Sequence, residues 1–527
     1  MNMKIRFFAT MVVAIVFIAC ISSCAKDDEY LGNGNDIFAM EKAGEGDDAI
    51  VLGEKMNDPY NMAFMSEAFQ QLKAEGTELP FDVLEPTGLY VRVLAGSTAE
   101  LDLLEADTNM TWFDYPLDYE IAKTGTYYHD PTLPDSATWK YGVIPVGYSL
   151  PSSLQHELLY NVFIPDDHPE YKEYEEAFDR LEEISESLCG YEEEDDEKEI
   201  STKASKWNPS ATIKVWDDTV GYIPLRGAKV TVRRLTKYRT GITNANGYYS
   251  FNTKYRKKVN YSIIWERGYW DIRYGWAQAY YNGPEQKSAW DLKISKGGKS
   301  IMYATIHRAA WNAYYGYFGE LQRPYLITGK MKIRYIHDSG GSVGLHCSFW
   351  NVFGAIADIR VWGFHDGELR PTDKIYGTVI HELAHQSHQR YMTTIQFWQV
   401  SSFIKESWSR CVQCILTSHH YQNDLGYDNY WHERHVQNWS PQVHGVKAYQ
   451  YTPLFIDMID DYNQNAFDPS LCKDNVSGYT LKEIQNRILG TSYGMHSLRQ
   501  TLKANLLHGT TEAQIDELVD NYEGFGF

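Results

Sequence analysis

His381-Glu382-Leu383-Ala384-His385 stands inside an apolar run that extends from about Ile375 to Arg390, and its reading decides how the rest of the chain is understood. Two histidines four residues apart lie one above the other on a single helix face, so their ring nitrogens can converge on one metal ion. Glu382 projects about 100° away around the helix. Zinc held by two imidazoles wants a third protein ligand and an open position for water, whose proton a neighbouring carboxylate can take. Glu382 is placed to be that general base. Upstream, Ile356 to Trp362 alternates like an edge strand, and a loop from Gly363 to Pro371 follows it. Thr372 or Asp373 is expected to cap the helix and satisfy its first amide donors.

His388 shares the face of the two histidines but lies two full turns along from His381, too far to reach the same ion easily. The third ligand must therefore come from elsewhere. Gln399 to Cys411 reads as a second helix, with Phe403, Ile404, Trp408, Cys411, Cys414 and Ile415 forming its apolar side and Glu406 lying on it. On these residues the chain resembles the gluzincin branch of the HExxH peptidases, in which a glutamate on the next helix completes a His, His, Glu site. The resemblance implies one Zn2+ per chain held by His381, His385 and Glu406, with Glu382 as general base in peptide hydrolysis. The metzincin pattern fails, because it needs Gly at 388 and His at 391 where this chain has His388 and Tyr391. The chain also departs from the gluzincin pattern: an Asp often follows the ligand glutamate by four residues to orient a histidine, and here that position is Arg410. Glu433 is the reserve third ligand. For the donor to an oxyanion developing on the attacked carbonyl, His435, His432, Tyr430 and Tyr451 stand unranked.

The first residues bear on the compartment. Lys4 and Arg6 precede an apolar run from Phe7 to Ile21 that is too short for a membrane-spanning helix, and small residues lead to Cys24. Ile21-Ser22-Ser23-Cys24 resembles a bacterial lipobox, which implies acylation of Cys24 after removal of residues 1–23. Ala25-Lys26-Asp27-Asp28-Glu29 resembles the acidic signal that sends some lipoproteins to the cell surface. These resemblances imply a chain anchored by lipid in the outer membrane and exposed outside the cell. A net charge of -21 argues against a nucleic-acid partner, and 43% hydrophobic residues in a 527-residue chain are ample for several cores. Of seven cysteines, Cys20 and Cys24 belong to the leader; the five that remain cannot all pair, and Cys411 and Cys414 are expected to pack in a core.

The expected architecture is multidomain α+β. A flexible Gly- and Asp-rich tether spans residues 24–56. An accessory α+β domain without a chemical motif follows at 57–190, then an acidic and polar linker at 191–209. Residues 210–296 read as short alternating strands, with Asn246-Gly247 as a hairpin signal. The stretches Ile223 to Val232 and Thr243 to Phe251 resemble the carboxypeptidase regulatory-like, transthyretin-like domain, which implies a small β-sandwich. Trp265, Trp270 and Trp276 are expected in its core rather than on a glycan-binding face. Residues 297–527 form the metal-bearing α+β domain, closed by a mainly helical second lobe.

Two functional expectations follow from different classes. The first is a surface-anchored zinc peptidase acting on extracellular protein, peptide or glycoprotein. The second is a surface adhesin or nutrient-binding lipoprotein whose zinc is structural or vestigial, which 14% aromatic residues and a modular build would suit. Glu382 separates them, since a purely structural site has no need of a carboxylate beside an open coordination position.

Overall fold

The computed structural model describes residues 48–77, 79–191, 206–324, 326, 329–339, 344–346, 358–438 and 452–524. Cys24, Cys347, Tyr451, the expected turn at 340–342 and the acidic run at 192–197 lie outside them. The described chain is mixed α+β, with several sheets and helices.

The sheet beneath the site has three parallel strands, Trp270–Tyr274, Met331–Ser339 and Ile359–His365, in register through Ile272, Ile333 and Ile359. These three isoleucines and Val361 are wholly buried, as parallel strands covered on both faces require. Short antiparallel strands, Ala277–Gln278 and Gly344–His346, close the two ends. Of the strand expected over Ile356–Trp362, the described part begins at Ile359; it is an interior strand rather than an edge and continues to His365. Its hairpin with Glu368–Leu369 occupies what reads as a loop. Asp366 and Gly367 form the two-residue turn there, both with positive φ (50° and 79°), as such hairpin loops demand.

Within residues 210–296, Trp270–Tyr274 belongs to the site sheet, so the expected border at 296 does not separate the sheets. The other long strands form two sheets. Ser210–Asp217 pairs with Gly221–Pro224, Tyr248–Ser250 and Trp290–Ile294; Lys229–Arg234 and Val259–Ile264 pair side by side between Lys237–Ile242 and Tyr280–Gln286. Asn246-Gly247 does not close a hairpin. The strands it joins, Lys237–Ile242 and Tyr248–Ser250, lie in different sheets, and the turn carries the chain across. Gly247 has φ 72°, and a Cβ there would lie 2.2 Å from the Ile213 carbonyl oxygen.

One contiguous core joins these sheets to the site helices, passing through the helix Lys299–Tyr315, which is apolar on nearly every side and buried accordingly. A buried polar tie reinforces that join. Arg308 of this helix donates to Asp217 at 2.8 Å, and Tyr421 donates to the same carboxylate oxygen at 2.7 Å. The accessory region contributes a three-stranded sheet, Thr138–Pro145, Gly88–Ala95 and His156–Val162, against helices Met62–Ala74 and Glu175–Leu188. It docks on the site sheet through Arg273 and Glu105, 3.0 Å apart, and through Trp276 against Ala95 and Leu101. Trp265, Trp270 and Trp276 are all buried. The C-terminal lobe is less helical than its pattern suggests. Full helices form at Met495–Ala504 and Glu512–Gly524, whereas the stretches near 454 and 481 give only one turn each before 3-10, π or irregular backbone.

Candidate metal centre

The motif lies on the helix Thr372–Tyr391. Its start is fixed from outside. Neither Thr372 nor Asp373 acts as the expected cap, because Pro371 holds that position; instead the Thr372 amide donates to Asp218 at 3.1 Å, and the Thr372 hydroxyl accepts from the Asp218 amide at 2.8 Å. The end of the strand Ser210–Asp217 thereby satisfies the orphan donor that an N-terminal turn leaves. The second helix, Ser402–His419, is capped by Ser401, whose hydroxyl accepts from Ile404 N. Cys411, Cys414 and Trp408 turn its apolar side into the core.

These two helices bring His381, His385 and Glu406 together in the interior, with one donor atom from each lying within 4.8 Å of the others. Nε2 of His381 is 3.1 Å, and Nε2 of His385 is 3.3 Å, from the same Glu406 oxygen. A tetrahedral ion with bonds of about 2.0–2.1 Å sets its ligands about 3.3 Å apart, so these two nitrogen–oxygen spacings suit such an ion. Burial would raise the Glu406 carboxyl, but the His385 and His381 imidazoles beside it outweigh that and hold it well below the usual carboxylate range. Burial pushes His381 down to about 4, against the pull of the Glu406 carboxylate beside it. A neutral His381 beside an ionised Glu406 has the protonation states a metal needs. Glu382 is 2% exposed, in the turn between the two histidines.

The residues that hold the imidazoles were not singled out in the sequence. Ser409 Oγ lies 3.0 Å from His385 Nδ1, and Gln413 Oε1 lies 3.1 Å from His381 Nδ1. Glu406, Ser409 and Gln413 share one face of their helix by spacings of three and four, and this periodicity was the available signal. They occupy the orienting role left empty by Arg410, which pairs with Glu433 instead. Glu433, which also lies 3.4 Å from Lys374, is therefore not drawn into the centre. Of the oxyanion candidates, His432 is buried behind the helices, bonded to Gln413 at 3.2 Å and to the Tyr430 hydroxyl at 3.0 Å. His432 and Tyr430 thus face the back of the centre. His435 sits in the short turn Arg434–Asn438 and is exposed. His388 is fully buried against Phe397 and apart from the three ligands.

The chain matches no protein-family model, no curated protein and no solved structure. The reading of the centre rests on its own chemistry. His381, His385 and Glu406 could hold a metal ion: two nitrogen donors from one helix and one carboxylate oxygen from the next, each buried.

Proposed function

We propose that this chain is a zinc-dependent peptidase, anchored by lipid at Cys24 in the outer membrane and acting on extracellular protein, peptide or glycoprotein. The observation that carries the proposal is the meeting of two imidazole nitrogens on one buried carboxylate oxygen, with Glu382 buried in the turn between them. His381, His385 and Glu406 would hold the ion, and Zn2+ suits a set of two imidazoles and one carboxylate. When bound, zinc polarises the attacked carbonyl and acidifies water.

The chain's own residues do the rest. Glu406 supplies negative charge to the site without needing a proton removed at neutral pH. Glu382 takes the proton of the attacking water and can pass it to the departing amine. Withdrawal from bulk solvent strengthens both effects. No helix among the described residues is long and apolar enough to cross a membrane; the proposed anchorage rests on Ile21-Ser22-Ser23-Cys24. Glu382→Gln tests the assignment: it should leave metal content intact and reduce hydrolysis of protein substrate by several orders of magnitude. A variant at Glu382 with normal activity would remove it from that role.

A further inference from the structure

Behind His381 runs a line of hydrogen bonds that leads away from the centre. His381 Nδ1 meets Gln413 Oε1 at 3.1 Å; Gln413 Nε2 meets His432 Nε2 at 3.2 Å; His432 Nδ1 meets the Tyr430 hydroxyl at 3.0 Å; and that hydroxyl reaches Asp373 Oδ2 at 2.8 Å. Gln413 and His432 are almost wholly buried. Burial also holds His432 far below the ordinary imidazole value, with the positive charges of Lys374 and Arg410 adding to it, so its ring is neutral and carries one proton.

The line has only one consistent direction. A carboxylate accepts and cannot donate, so Tyr430 spends its single proton on Asp373. Its oxygen must then accept from His432 Nδ1–H, which leaves His432 Nε2 as a lone pair accepting from the Gln413 amide N–H. Gln413 Oε1 is thereby turned to His381, where it accepts from Nδ1–H. A neutral imidazole with its proton on Nδ1 has a bare lone pair on Nε2. In this tautomer His381 Nε2 faces the Glu406 oxygen at 3.1 Å with no proton between them, an arrangement a cation completes.

We infer that Asp373, Tyr430, His432 and Gln413 form a directional relay that fixes His381 in the Nδ1–H tautomer and so presents its Nε2 lone pair to a metal ion. The inference rests on the metal-centre reading above. Asp373 is the origin of the relay, the other three transmit it, and all four are positioning residues. The motif helix makes room for the relay at Gly377, one turn before His381: a Cβ there would lie 2.4 Å from His432 Nε2 and 3.2 Å from Gln413 Nε2. Ser409 at His385 is different, because a hydroxyl can donate or accept and imposes no tautomer.

A cycle of variants in the full chain tests the relay by zinc affinity, read from competition with a chelating dye. Tyr430→Phe keeps the ring stacked on Tyr421, 4.5 Å between centroids, but removes the hydroxyl. His432 can then move its proton to Nε2, and the Gln413 amide can turn over and offer His381 an N–H. Zinc binding should weaken about 10- to 100-fold. Gln413→Glu alone should bind zinc at least as tightly as the unaltered chain, because a carboxylate accepts from His381 Nδ1–H whatever lies behind it. In that background Tyr430→Phe should have little further effect. Equal losses from Tyr430→Phe in both backgrounds, or none in the unaltered one, would overturn the relay while leaving the metal centre standing. An unaltered chain that takes up no zinc would overturn both.

Discussion

His388 gives the sharpest stability prediction. It lies on the motif helix beyond His385, fully buried, with its ring edge-on to Phe397 at 5.2 Å. Neither ring nitrogen has a hydrogen-bond partner among the described residues. Burial, with the charge of Lys405 adding to it, lowers its pKa from 6.5 to about 3. The unfolded chain therefore binds a proton that the folded chain refuses between pH 6.5 and about 3. Stability from this residue is fully present above pH 6.5 and is lost as pH falls through that window. At pH 5 the loss is about one and a half pH units at 1.36 kcal/mol each, or about 2 kcal/mol. His388→Leu removes the titration and two buried unpaired polar atoms. Urea unfolding of both chains should show the variant no less stable at pH 7.5. Between pH 7.5 and 5 the unaltered chain should lose about 2 kcal/mol more than the variant. Parallel loss in the two chains over that range would refute the reasoning.

Two further substitutions probe other joints of the structure. Gly377→Ala gains helix propensity of about 1 kcal/mol but drives a methyl into His432, whose ring is fixed at both nitrogens; the overpacking should win, costing about 1–3 kcal/mol in unfolding free energy and weakening zinc uptake. A Gly377→Ala chain as stable and as zinc-avid as the original would show that His432 can yield. Asp217→Asn leaves Arg308 buried without its counter-charge and should cost about 3–5 kcal/mol in urea unfolding. A loss under about 1 kcal/mol would mean that the tie between the strand Ser210–Asp217 and the site helices is not a structural joint.

How much was legible beforehand follows from which forces act locally. His381 and His385 share a face because the helix period puts them there, and Glu406 follows from an apolar stripe on the next helix; both signals are contained in short stretches. The two-residue turn at Asp366-Gly367 is equally local, but the longer run of polar residues around it reads as a loop. Asn246-Gly247 gave the right turn and the wrong partner, since the turn fixes the backbone and cannot say which sheet each strand joins. The placing of Trp270–Tyr274 in the site sheet rests on pairing with Met331–Ser339, far along the chain. Nothing in its own residues distinguishes it from the strands on either side. The cap at Thr372 fails for the same reason: the partner that replaces it, Asp218, is brought there by the tertiary fold. Gln413 and Ser409 were within reach of the spacing from Glu406, whereas the line from Gln413 through His432 to Asp373 depends on the packing of three segments.

The most direct test of the whole account is zinc content measured together with hydrolysis of a mixed protein substrate, comparing the unaltered chain with Glu382→Gln in the same preparation. The account predicts about one zinc in each and cleavage by the unaltered chain alone. Zinc in both with cleavage by neither, or cleavage undiminished by Glu382→Gln, would contradict it.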